Sequence, residues 1–231
     1  MKSWLALLAR HSVSEGGSYQ TKPVEVLSKR FWIQFVLLAA IVTALGFYRV
    51  SDNKVQEQNV IVELQLRLTQ SSVRSLQFIS DSINYISLGI PAIVLATGLI
   101  LKRKLLIRNA LIVLLGIALG GLISATIKRT LKEPRPYEVD KRIAQLSVGG
   151  SNSFPSGHTV EATAAVFGFT VLLYRTPLAV VLSVAWALSV MFSRVVLGVH
   201  NFTDILGGIA IGCIGFIVIR RLFEFRPIRP S

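Results

Sequence analysis

The chain has 231 residues, 52% hydrophobic and 16% charged, with a formal net charge of +13. Its apolar residues gather in uninterrupted runs of about 20, the length that crosses the hydrocarbon core of a bilayer, which excludes an ordinary soluble domain and points to an all-α, polytopic membrane protein. The basic residues fall mainly in short connections between those runs, where membrane orientation and anionic lipid account for them, so a nucleic acid partner is set aside.

Residues 1–30 are polar apart from Trp4 to Ala9, a run shorter than the core of a cleaved leader and closed by Arg10 and His11; a short interfacial helix or tail is expected. The first span, Phe31 to Tyr48, carries aromatic pairs at both ends, where rings favour the headgroup level. In the polar stretch Arg49 to Ser82, Val60, Leu64 and Leu68 recur at helical spacing, which fits an amphipathic helix at the interface or one packed over the bundle. The second span, Ile83 to Leu101, contains Pro91, expected as a kink, and the basic turn Lys102 to Lys104 leads into the third, Leu105 to Ile127. Gly116, Gly120 and Gly121 give that span a small-residue face for close helix contact. Spans four to six are Thr159 to Tyr174, Leu178 to Met191 and Phe202 to Ile219, the last with Gly208, Gly212 and Gly215 as a similar face. Cys213 lies in this last run; as the single cysteine it cannot form an intrachain disulfide, and packing is its expected role.

Basic residues favour the cytoplasmic side of a membrane. Six spans put Lys22, Lys29 and Arg30, the 102–104 turn, Arg175 and the arginines at 220, 221, 226 and 229 there together. The expected domain is thus a six-helix bundle over 31–222, between a cytoplasmic N-terminal segment, 1–30, and a cytoplasmic tail, 223–231. The same count brings Lys128 to Arg135, Ser156 to His158 and Arg194 to Asp204 to the opposite face. The cluster Lys128, Arg129, Lys132, Arg135, Lys141 and Arg142 breaks the charge bias there, and such an exception calls for an anionic partner.

Three constellations on that face carry chemistry: Lys128, six residues, then Arg135-Pro136; Phe154-Pro155-Ser156-Gly157-His158; and Ser193-Arg194, five residues, His200, three residues, Asp204. A phosphoryl group in transfer spreads charge over its equatorial oxygens, so the protein mainly supplies positioned cations and donors. Lys128, Arg135 and Arg194 are the cations, and guanidinium forks grip paired oxygens. Ser156 and the Gly157 amide precede a helix start, where free amides favour an anion. His200 is the candidate nucleophile, giving a phosphohistidine that water hydrolyses. Asp204, four residues on, shares its helix face and would orient the ring; His158 is the candidate general acid. Pro136 and Pro155 read as loop-shaping, Ser193 as structural, and Arg129, Lys132, Lys141 and Arg142 as attractors of anionic lipid. Glu161, inside the mouth of the fourth span, needs a partner and is a candidate modulator, either paired with a site cation or sustaining the charge on His158, with pairing to a purely structural arginine as the alternative.

Together, over about a third of the chain from Lys128 to Asp204, these residues resemble the signature of the type 2 phosphatidic acid phosphatase family, which shares its site with vanadium haloperoxidases and bacterial non-specific acid phosphatases. The resemblance implies the same residue roles and a membrane lipid phosphatase acting at the bilayer surface. The candidate substrates are polyprenyl diphosphate, phosphatidylglycerophosphate, phosphatidic acid and lipid A phosphate, on an extracytoplasmic, periplasmic face of a bacterial inner membrane. The cationic cluster repels divalent ions, so no metal and no cofactor are expected. A phosphotransferase using the same residues remains open, as do a non-catalytic anionic-lipid binder or transporter and the oligomeric state.

Overall fold

A computed structural model describes residues 54–172 and 177–224, with Leu37, Ala40 and Ala44 as isolated positions. The expectations for residues 1–30, for the first span apart from those three positions, for Arg175 and for the tail after residue 224 lie outside the described residues.

All the regular structure described is helical. In chain order the elements are α1 (Lys54–Leu66), α2 (Gln70–Ile100), α3 (Lys104–Leu131), the single turn α4 (Pro136–Val139), α5 (Gly157–Leu172), α6 (Pro177–Val196) and α7 (Phe202–Glu224). Among the described residues α2, α3, α6 and α7 are long and apolar enough to cross a membrane.

The stretch Arg49 to Ser82 is not one polar connection. Its first part, α1, packs over the end of the bundle, where Ile61 is buried with Ile143 and Val195. Its second part extends the second span, whose helix starts at Gln70, where the Thr69 hydroxyl accepts from the Ser72 amide at 3.2 Å and caps the first turn. This extension escapes a hydropathy reading because Gln77, Ser80 and Asp81 on it face other protein segments and a polar cavity. Within α2 the helix widens to a π turn over Asn84–Leu88, just ahead of Pro91, which has no N–H to give the preceding turn.

Helices α3, α5 and α7 pack against one another at the centre; α2 lies against α3 and α6, and α6 against α5. Between membrane helices, lipid removes most of the hydrophobic drive, and close packing holds the bundle. Where α3 crosses α7 a Cβ on Gly215 would lie 2.7 Å from the Gly116 carbonyl and 2.8 Å from the Gly120 amide, so the two helices meet backbone to backbone. Gly121 does not belong to this face, since a Cβ there would meet no neighbour. At the far end from the candidate site, Arg108 Nη2 donates to the Phe223 carbonyl at 3.2 Å and ties the start of α3 to the end of α7. Cys213 is buried in α7 as a packing residue.

Candidate active site

The other end of the bundle collects the polar helix tips. Helix α3 closes with Lys132 in the left-handed region at φ +48°, its amide bonded to the Lys128 carbonyl at 3.0 Å, and the chain turns into the segment that carries Arg135. Helix α5 starts at Gly157, with the buried Ser156 as its cap: its hydroxyl faces the Thr159 amide at 3.4 Å and its carbonyl accepts from Val160. Helix α6 ends at Val196, and its turn into α7 passes through Gly198 at φ +78°, a conformation a side chain would strain. Asp204 then falls in the first turn of α7.

All three constellations meet here. His200 is 2% exposed, and its Nδ1 lies 3.2 Å from Asp204 Oδ2. The same oxygen accepts from Ser153 Oγ at 2.5 Å and from the Asn201 amide at 2.8 Å. Asp204 is itself fully buried, and its carbonyl receives the Ser156 amide at 3.1 Å, which joins the α5 start to the α7 start. The amides of Val199 and His200 both reach the Arg194 carbonyl at 3.2 Å. The imidazole is therefore fixed from its backbone and from one ring nitrogen, which leaves Nε2 as the nitrogen able to attack.

The cations also hold the loop that walls the site. Arg135 donates Nε to Gly150 O at 3.0 Å, Nη1 to Val199 O at 2.6 Å and Nη2 to Asn152 O at 3.2 Å. Lys128 Nζ donates to the carbonyls of Asn152 at 2.6 Å and Ser153 at 3.0 Å. Arg194 Nη1 reaches Ser80 Oγ at 2.6 Å and Ser147 Oγ at 3.1 Å, and Nη2 reaches Val148 O at 3.1 Å. The sequence suggests all three as phosphate donors alone; in the structure each anchors the 147–153 loop, because a buried or half-buried cation must satisfy its donors. Close approach of this loop to Arg135 requires glycine: a Cβ on Gly149 would sit 2.9 Å from its Nε.

Both histidines lie outside the apolar spans, and both are held below the ordinary imidazole range. His200 is lowered to about 4, chiefly by burial, which the Asp204 contact opposes, with Arg135 and Lys128 adding to the depression. His158 is lowered to about 3, chiefly by burial and then by Arg194, His200, Arg135 and Lys128. Burial disfavours the charged form and neighbouring cations repel a proton, so a bound oxyanion would raise both.

A cavity of about 750 Å³ opens beside this cluster, lined by Gln77, Asp81 and Asn84 of α2, by residues 145–150, and by His158 and Arg194. His200 does not border it. A Cβ on Gly157 would meet nothing within 4 Å, so the start of α5 is open to an anion. Ser193, bonded to the Val190 carbonyl at 2.7 Å, is structural as expected. Glu161 ion-pairs with none of the three cations; it faces the Ser87 hydroxyl of the π turn, outside hydrogen-bond geometry. Among the described residues no group of three or more His, Cys, Asp or Glu is placed to hold a metal ion.

Sequence reasoning misses Ser153, Ser80, Ser147 and Gln65. Ser153 directly precedes the Phe154 to His158 motif, and its position is the one signal available. Gln65 of α1 pairs with both backbone groups of Ala144, Nε2 to O at 2.9 Å and N to Oε1 at 2.8 Å, and also reaches Val196 O at 3.1 Å. Gln77 adds a bond to Leu146 O at 2.7 Å. Gln65→Ala is expected to free the loop at this end, costing about 1–2 kcal/mol of stability for part-exposed bonds. In steady-state assays KM should rise several-fold with kcat held within about twofold, the pattern of weakened uniform binding; an equal fall in kcat would contradict that account.

A protein-family model described as PAP2 superfamily matches residues 109–228, more than half of the chain. Phosphatidylglycerophosphatase B of Bacillus subtilis (strain 168) is 27% identical over 143 residues, which cover 57% of this chain and 66% of that protein, so the match spans just under two thirds of the relative's length. Among solved structures, the crystal structure of a transmembrane PAP2-type phosphatidylglycerolphosphate phosphatase from Bacillus subtilis matches with a TM-score of 0.68 at 23% identity, covering 86% of this chain and 98% of that one. That likeness is one of fold.

Proposed function

The chain belongs to the PAP2 superfamily and is an integral membrane phosphatase of that family, and from this premise we propose that it hydrolyses a lipid phosphomonoester through a phosphohistidine on His200. The observation that carries this reading is the buried imidazole held by Asp204 Oδ2 at the meeting point of Lys128, Arg135 and Arg194. In the proposed cycle the phosphate lies on Arg194, Lys128 and Arg135 and on the Ser156–Gly157 start of α5, where helix amides favour an anion. Neutral His200 Nε2 attacks phosphorus, the P–O bond to the leaving alcohol breaks, and His158 donates the proton to the departing oxygen. Asp204 supports the positive charge that grows on the His200 ring. Water, deprotonated by His158, then attacks the phosphohistidine and releases inorganic phosphate.

Of the candidate substrates, phosphatidylglycerophosphate is favoured by the name of the Bacillus subtilis relative. The active face is extracytoplasmic, and residues 31–222 form one six-helix domain. No metal takes part, because three cations already occupy the positions a divalent ion would serve. The test is phosphate release from detergent-solubilised protein on phosphatidylglycerophosphate, phosphatidic acid, polyprenyl diphosphate and lipid A, with and without chelator. Activity that survives chelation and is inhibited by vanadate is expected. Activity abolished by chelator and restored by magnesium would overturn the mechanism, and transfer of labelled phosphate to a second lipid would mark a phosphotransferase.

A further inference from the structure

The two histidines divide the site unequally. His158 and Arg194 border the cavity of about 750 Å³, and His200 does not. If His200 attacks and His158 serves the departing oxygen, an in-line displacement puts nucleophile and leaving group on opposite sides of phosphorus. The leaving group therefore occupies the cavity, and the side chains on its far wall meet the part of the headgroup next to the scissile bond. That wall is one face of α2: Gln77, Asp81 and Asn84, at helical spacing. The Gln77 amide is committed to the Leu146 carbonyl. Asp81 lies near enough to Arg194 to oppose the effect of burial on that guanidinium, but no hydrogen bond or ion pair holds its carboxylate among the described residues.

A carboxylate in that place accepts donors and repels anions. We propose that Asp81 is a specificity-determining residue that accepts a hydrogen bond from a hydroxyl on the leaving group, selecting a phosphomonoester carried on a polyol and rejecting a diphosphate, whose second phosphate would sit directly on the scissile oxygen. The inference rests on the role assignment of His200 and His158 made above. It explains why a cationic site carries an acidic residue on one wall: the cations take the reacting phosphate, and the acid reads what the phosphate is attached to. Asn84, one turn further along the same face, offers a second polar contact.

The test compares three lipids on wild type, Asp81→Ala and Asp81→Asn: a diacyl lipid with its terminal phosphate on glycerol, the same lipid on propane-1,3-diol, which lacks only the central hydroxyl, and a polyprenyl diphosphate. A hydrogen bond to a charged acceptor corresponds to a discrimination of about ten- to a hundredfold, so wild type should favour the glycerol form in kcat/KM by that ratio. Asp81→Ala should bring the ratio near unity. Asp81→Asn keeps an acceptor but loses the charge, so it should retain part of the hydroxyl preference while diphosphate turnover rises several-fold. Ratios between substrates cancel any general loss of folded protein. A wild-type ratio near one, or a ratio unchanged in Asp81→Ala, overturns the inference while phosphate release still upholds lipid phosphatase activity. Release from none of the three lipids overturns both.

Discussion

His200→Ala is expected to lower kcat/KM for lipid phosphate release by about four orders of magnitude, the loss typical of deleting a residue that acts as one unit with its partners. Among the described residues no other ring can take its place. His158 borders the cavity on the leaving-group side, and it lacks the carboxylate that fixes the His200 ring at 3.2 Å. The substitution leaves Asp204 with two of its donors, Ser153 Oγ and the Asn201 amide, so folding should survive and thermal unfolding in detergent should shift by only a few degrees. Rapid quenching with a labelled lipid phosphate should trap an acid-labile, base-stable phosphoprotein in wild type and none in His200→Ala. Label that persists in the variant would show that the phosphoryl group is carried elsewhere.

As the proposed nucleophile, the same residue is expected to set the acid limb of the rate. Attack requires neutral imidazole, and burial holds the His200 pKa at about 4, so lowering pH through 6.5 does not protonate it. Corrected for substrate ionisation, kcat/KM should stay level down to about pH 5 and fall as pH approaches 4. His158, at about 3 in the free protein, then takes its proton from a substrate that arrives as the monoanion. An acid limb centred near 6.5 would mean that the imbalance between burial and the Asp204 contact is not as the structure has it.

Chemistry at the tips of apolar runs is legible in the sequence. Lys128, Arg135, His158, Arg194, His200 and Asp204 group together there because a charge at the end of a span is costly unless it has work to do, and because the spacing of His200 and Asp204 is that of one helix face. Whatever depends on backbone carbonyls stays hidden. The grip of Arg135 on Gly150, Asn152 and Val199 joins segments up to 64 residues apart, and no side-chain pattern announces a carbonyl. The start of α2 is hidden for a related reason. Gln77, Ser80 and Asp81 lower the local hydropathy, and only the packed structure reveals that they face a cavity and the Arg194 guanidinium. Polar residues on a spanning helix read as the end of the span when in fact they face a cavity and a neighbouring cation within the bundle.

Asp204 provides the second large effect, and its two substitutions should separate. Three donors converge on Oδ2: His200 Nδ1, Ser153 Oγ and the Asn201 amide. Asp204→Ala strands all three in a fully buried position, and each buried group without a partner costs about 1–3 kcal/mol. Activity should fall by about four orders of magnitude and the folded fraction in detergent should drop with it, because the Ser153 bond also ties the 147–153 loop to α7 and the Asn201 bond closes the first turn of that helix. Asp204→Asn keeps an oxygen acceptor. With three donors aimed at a single point, the amide oxygen settles there and the His200 tautomer is preserved, so only the charge that supports the developing imidazolium is lost. A fall of about a hundredfold in kcat, with KM and thermal unfolding near wild type, is the expected result. If the asparagine variant is as inactive as alanine while still folded, the amide has turned its nitrogen toward the ring, and His200 is then held by the single contact at 3.2 Å without help from the convergence of the other two donors.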